Sequence, residues 1–300
     1  MKKNIIAILL VVIMLLGTFT LSGCKNNNND DALTIYTSFY PIYDLTLKIV
    51  GNKANIVNLV GSGEEAHHYE LTPKQAVALE NEADLIIING LDMEHFIEDL
   101  SQPILDKVFV ASDGLETIEM DTGLGTTKTD PHIWLSIRNS KKMMENIKNH
   151  MIILDADNAE YYENNYEKYA ILFDALDNAY INAIANFTTN SIIVSHKAFG
   201  YLTNDYGLNQ ISISGLETDG EANPQTVIDI KNYIIDNNIT VVYYQEEMNS
   251  TIASAIAEQT SATIERLQTV ESLSKTQLDS GDDYLSVMAE NLLALIKHLS

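Results

Sequence analysis

The sequence predicts an α/β protein with two lobes of largely parallel sheet, flanked by helices and joined by one long backbone helix. Short apolar runs alternate with amphipathic segments from Leu33 onward, the pattern of repeated strand–helix–strand units. The alternation occurs twice, once on each side of a segment of different character. That segment, Asp155 to about Phe187, holds no Gly or Pro, and Tyr162, Tyr166, Tyr169, Phe173, Leu176 and Tyr180 recur in it at helical spacing. As one continuous helix it extends about 50 Å at ~1.5 Å per residue, the alternative being two helices with a bend. The expected division is an N-terminal lobe over 33–154, a linking helix over 155–187 and a C-terminal lobe over 188–300.

Leu33 to Thr37 reads as the first strand, Ile42 to Val50 as a helix closed by Gly51, and Asn55 to Val60 as the second strand, before the loop Gly61-Ser62-Gly63. Thr72-Pro73-Lys74-Gln75 has capping-box chemistry, with a Thr N-cap, Pro at the first helical position and Gln at the third. Its helix runs to about Ala83, and Leu85 to Ile88 follows as a buried strand. A short helix at Glu94 to Leu100 and a strand at Val108 to Val110 complete the lobe. In the second half, Ile192 to Val194, Ile211 to Ile213 and Val241 to Tyr244 read as strands. Helices start at Asn223-Pro224, carrying Val227, Ile230, Ile234 and Ile235, and at Thr251; Asp283 to Leu299 closes the chain with Leu285, Met288, Leu292, Leu295 and Ile296 on one face.

The N-terminus has the order of a secretory signal: Lys2-Lys3, then an apolar run from Ile5 to Leu16, too short to span a bilayer comfortably. Leu21-Ser22-Gly23-Cys24 resembles the lipobox of bacterial lipoproteins, in which the cysteine is lipidated and becomes the new N-terminus. Residues 1–23 are thus expected to be removed and Cys24, the only cysteine, to carry the anchor. Residues 24–32, with Asn26 to Asp31, read as a disordered polar tether. The expected location is the extracytoplasmic face of the cell membrane.

Loss of residues 1–23 removes two lysines and takes the formal charge from −24 to −26. So acidic a surface excludes nucleic acid and anionic headgroups as partners. Arginine occurs only as Arg138 and Arg266, which leaves little means for bidentate capture of phosphate or carboxylate. The acidity itself gives no metal specificity.

Three histidines carry the functional signal: His67 in EAHHYELTP, His132 in DPHIWLS and His196 in SHKAFGY. Neutral imidazole favours zinc and other late transition metals, and three such ligands leave one position to fill. Their separations of 65 and 64 residues mean that only tertiary structure can unite them. His67 and His196 follow strands and precede helices, at the carboxyl ends where open parallel sheets bind ligands. Pro131 keeps Asp130 out of helical conformation ahead of His132. His95, His150 and His298 read as surface residues, and Met143-Met144 as packing.

These segments, His67 to Pro73, Asp130 to Leu135 and Ser195 to Tyr201, with Asp283 to Leu292 near the end, resemble the signature segments of the zinc/manganese solute-binding proteins of ABC transporters. The resemblance covers nearly the whole chain after residue 24. It implies two α/β lobes on a rigid helix, an ion in the cleft between them, and delivery to a membrane permease with its ATPase. By motif, His67 is the first ligand, with His68 as its rival, His132 the second and His196 the third. Manganese members resemble this chain but place a carboxylate where His196 stands, and nitrogen donors suit zinc. Glu271 resembles the late carboxylate used as fourth ligand; Glu65 and a water are its rivals.

Two departures are visible. Glu116 to Thr129 contains no histidine, where many zinc members have a histidine-rich loop, and Ala66 replaces the usual proline before the first ligand. The expected function is zinc capture by a monomeric receptor without catalysis. The alternatives are a manganese homologue, a surface adhesin or a zinc hydrolase.

Overall fold

The computed structural model describes residues 32–121, 126–215, 224–245 and 251–300. Cys24, the signal segment and most of the tether lie outside the described residues.

Lobe 1 holds β1 (Thr34–Thr37), α1 (Tyr40–Val50), β2 (Asn55–Asn58), α2 (Pro73–Glu82), β3 (Leu85–Ile88), the short α3 (Gln102–Leu105) and β4 (Val108–Val110). Its four strands are parallel in the order β2-β1-β3-β4. The central strand β3 is buried along its whole length and the edge strand β2 alternates exposed with half-buried. Pro41 opens α1, and Gly51 closes it at φ 54°, a conformation that costs glycine little. At α2 the capping box forms in full, Thr72 receiving the Gln75 amide while the Gln75 side chain receives the Thr72 amide.

A small antiparallel hairpin follows, β5 (Glu119–Asp121) with β6 (Thr127–Thr129), then a 3-10 turn at Ile133–Leu135, α4 (Ile137–Leu154) and α5 (Ala159–Ile184). At 26 residues α5 is the link between the lobes, about 39 Å long at ~1.5 Å per residue. It starts four residues later than the sequence suggests because Asp155 ends α4 and Ala156–Asn158 form a 3-10 turn. Its stripe packs inward: Tyr162, Phe173, Leu176 and Tyr180 are buried, and the Tyr180 hydroxyl donates to Met288 O at 2.7 Å.

Lobe 2 holds β7 (Ser191–Val194), α6 (Gly200–Tyr206), β8 (Asn209–Ser212), α7 (Pro224–Asp236), β9 (Val241–Tyr244), α8 (Thr251–Glu258), β10 (Thr263–Arg266), α9 (Lys275–Ser280) and α10 (Tyr284–Leu299). Its parallel order, β8-β7-β9-β10, repeats the order of lobe 1. β2 is shorter than expected, and β8 is displaced toward the N-terminus, Ile213 falling outside it.

One core runs through both lobes, from Ile35 and Leu45 through Trp134, Met143, Met144 and Phe173 to Val194, Tyr243, Tyr284 and Leu292. Separate clusters fill the outer faces, around Leu79 and Ile86 in lobe 1 and around Ile230, Ile234 and Val242 in lobe 2. A shared interior of this kind resists wide hinge opening, since parting the lobes exposes close-packed apolar surface. Among the described residues no helix is long and apolar enough to cross a membrane.

Candidate metal centre

In each lobe the strand order reverses at the first strand, β1 or β7, and the loops leaving the carboxyl ends of the strands converge between the lobes. Such switch points are where open α/β sheets bind ligands. His67 comes from the loop between β2 and α2. Glu65 shapes that loop, its two carboxylate oxygens each receiving a backbone N–H at 2.9 Å, from His67 and His68. His132 ends the segment after β6, and His196 lies two residues beyond β7.

The structure brings His67, His132, His196 and Glu271 together, with one donor atom from each, all within 4.8 Å of one another. Nε2 of His132 lies 3.1 Å from Nε2 of His67 and 3.0 Å from Nε2 of His196. Glu271 Oε1 lies 3.9 Å from Nε2 of His67. Donors held tetrahedrally at Zn–N distances of about 2.0–2.1 Å sit roughly 3.3 Å apart, so the imidazoles already have nearly that spacing. All four residues are buried, His132 and His196 completely. Glu65 and His68, the rivals from sequence, lie outside the cluster; His68 is exposed.

Protonation favours the same chemistry. Burial first, then repulsion from His132, pushes His67 down to about 2. Burial, followed by the neighbouring His132 and His67, holds His196 well below the ordinary imidazole range. Neutral rings present lone pairs, as a cation requires. Asp130 sets the tautomer of His132: its Oδ1 lies 2.7 Å from Nδ1 and also accepts the His132 backbone N–H at 3.0 Å. With Nδ1–H committed to Asp130, the lone pair is at Nε2, facing the cluster. Sequence reasoning gave Asp130 only a backbone role, although a carboxylate two residues before a metal-binding histidine is itself a signal. Gly200 reinforces the arrangement, because a Cβ there would sit 2.5 Å from Asp130 Oδ2.

Val270, just before Glu271, adopts φ 62°. For a β-branched residue that conformation costs on the order of 1–3 kcal/mol and survives only where neighbours enforce it. The other histidines divide. His95 is exposed, whereas His150 is half-buried and stacked on Phe109 at 4.2 Å, and His298 is half-buried beside Glu265 at 2.9 Å. These two are packed residues rather than free surface, because α4 and α10 turn those faces toward neighbouring side chains.

The family model described as "ZnuA: Zinc-uptake complex component A periplasmic" matches residues 35–298. The High-affinity zinc uptake system protein ZnuA of Bacillus subtilis (strain 168) is 33% identical over 304 residues, covering 97% of this chain and 95% of that protein. The Zinc-binding lipoprotein AdcA of Streptococcus pneumoniae is 33% identical over 92% of this chain, which spans 58% of AdcA's length. The crystal structure of the Zn(II)-bound ZnuA-like domain of that AdcA superposes with a TM-score of 0.77 at 30% identity, covering 89% of this chain and 99% of that one. With two parallel-sheet lobes on one long helix and a buried cluster of three imidazoles and a carboxylate between them, the chain belongs to the family of ZnuA zinc-uptake components.

Proposed function

We infer that this protein captures Zn2+ outside the cytoplasm, holds it between His67, His132, His196 and Glu271, and passes it to an ABC permease and its ATPase. The observation that carries this reading is the convergence of four donors from four separate segments into one buried cluster. Zinc is the cargo. Three nitrogen donors and one oxygen donor favour it over manganese, which prefers oxygen. Binding without catalysis fits the family's role as a component of zinc uptake. The large open cavity of about 770 Å³ is lined by residues such as Arg138, Tyr206 and Leu208, none of them in the cluster.

The same reading has residues 1–23 removed, Cys24 lipidated and 24–32 as the tether, with lobes over 33–154 and 188–300 about the 155–187 link. The receptor acts as a monomer. Support for the anchor comes from the lipobox-like sequence and from AdcA, which is called a lipoprotein. Calorimetric titration of the metal-free chain lacking residues 1–24 tests the function. One zinc ion bound tightly, and not displaced by excess manganese, is the expected result; preference for manganese overturns the zinc assignment.

A further inference from the structure

Glu271 has a chain address in one lobe and its attachments in the other. It follows β10, and the residues leaving that strand are tied to lobe 2. Leu267 N–H donates to Tyr244 O at 2.9 Å. The Asn291 amide accepts from Gln268 N–H and donates to Gln268 O, both at 2.8 Å. From Thr269 the bonds cross the cleft. The indole Nε1–H of Trp134 donates to Thr269 O at 2.7 Å. Tyr40 N–H donates to Glu271 O at 3.3 Å, and Ser62 Oγ–H donates to Leu273 O at 2.6 Å. All three donors belong to lobe 1 and all three acceptors are main-chain carbonyls of the Glu271 segment. Trp134 and Thr269 are both buried, so water cannot replace that bond. The strained Val270 lies between the first two of these crossing bonds, at Thr269 and Glu271.

His196 is held differently. Its neighbours bond within lobe 2, Ser195 N–H to Tyr243 O at 3.0 Å and Lys197 N–H to Gly215 O at 3.1 Å. The nearby bridge to lobe 1 is a side chain, the Tyr201 hydroxyl, which donates to Asp130 O at 2.9 Å.

We propose that Trp134 is the positioning residue of the fourth ligand: its indole N–H, with the Tyr40 amide and the Ser62 hydroxyl, fastens Thr269–Leu273 to lobe 1, so Glu271 stays beside His67 and His132 when the lobes part and His196 alone withdraws. The proposal rests on Glu271 being a ligand, as inferred above. It divides the site three to one between the lobes, whereas chain order divides it two to two. An arriving ion meets two imidazoles and a carboxylate first, and His196 completes the shell.

A double-mutant cycle tests it, with zinc affinity measured by competition against a chromophoric chelator. Trp134→Phe keeps the aromatic ring and removes the donor. Affinity should fall about 10- to 100-fold, the usual cost of losing a residue that orients a ligand. In the Glu271→Ala background the same change should cost less than about twofold, since the group it positions is gone. The cobalt(II) absorption spectrum of Trp134→Phe should move to that of Glu271→Ala. Equal losses in both backgrounds, or no loss in the parent, overturn the positioning role. If Trp134→Phe does not fold, Ser62→Ala on the exposed loop carries the test; its smaller loss must also vanish without Glu271, and a loss that persists overturns the proposal. Glu271→Ala alone tests the reading beneath: unchanged zinc affinity removes Glu271 from the site.

Discussion

Two polar clusters are buried where the lobes meet, and their members relate to one another in opposite ways. Lys48 Nζ bridges Asp44 at 2.6 Å and Asp283 at 2.8 Å, joining α1 to the N-cap of α10. In the other, His67, His132 and His196 face one another, and the charged forms of His67 and His196 are disfavoured by burial and by their neighbours. The first cluster sets one ammonium between two carboxylates and lies over the Tyr169 ring of the linking helix. The second spends burial on groups that gain little from each other. A cluster that is complete by itself fastens the fold; one that lacks a cation awaits a ligand.

Substitutions separate the two sharply. Lys48→Met should destabilise the protein by about 3–5 kcal/mol with or without zinc, because it leaves two carboxylates facing each other in a largely buried site. Denaturant unfolding of both forms measures it, and a loss below 1 kcal/mol would make the bridge incidental. His196→Ala should act the other way round. Zinc affinity should drop by more than about 100-fold, exceeding the usual effect of an outer residue, while the metal-free protein keeps or gains stability. Calorimetry with thermal melts of the apo form reads both halves.

Zinc itself should widen the contrast. At a free concentration 100 times Kd, loading adds about 2.7 kcal/mol by mass action, and chelation removes it. A melting temperature indifferent to chelator would contradict an ion joining the lobes. Lys48→Met should leave this increment intact, and His196→Ala should abolish most of it.

Acid gives the most graded effect, spread over several pH units. His67 has a pKa near ~6.5 when unfolded and about 2 in the fold. Between those values the unfolded chain binds more protons, so the contribution is full above ~6.5 and falls as pH drops toward 2, by up to ~1.4 kcal/mol per pH unit. Asp44 has the opposite sign. Burial raises it despite Lys48, so the fold holds the proton more tightly and acidification favours the folded state there. Apo melting curves of His67→Phe should therefore lose much of the acid limb below ~6.5; an unchanged limb would contradict the burial of that imidazole.

Sequence reveals these two clusters unequally. Three histidines in distinctive segments stand out, and their placement at strand ends follows from β2, β7 and the capped α2. Asp44 and Lys48 instead look like an ordinary i,i+4 surface pair on a helix. The packing of α1 on α4 and on the linking helix, with the return of Asp283, buries them, and nothing local in either segment announces it. The strands were legible where they are apolar throughout, as in β3 and β9. β10, Thr-Ile-Glu-Arg, carries a single apolar residue because it lies at a sheet edge, and it was missed. So was the small β5–β6 hairpin, which has no apolar run. The helical stretch around His150 is visible in sequence, but the start of α4 at its Ser136 cap is not. The left-handed turn at Val270 is invisible in principle, because a valine there argues against the conformation it adopts.

The complete burial of His132 and His196 also has a kinetic meaning. A chelator in solution cannot attack an ion seated among them, so it takes only what the protein lets go. If an ion bound there leaves only when the lobes part, exchange should proceed at the rate of that opening, and raising the chelator concentration tenfold should leave the half-life of loading unchanged. Retention would be a property of the gate rather than of the bonds, and whatever unloads the protein must act on the gate.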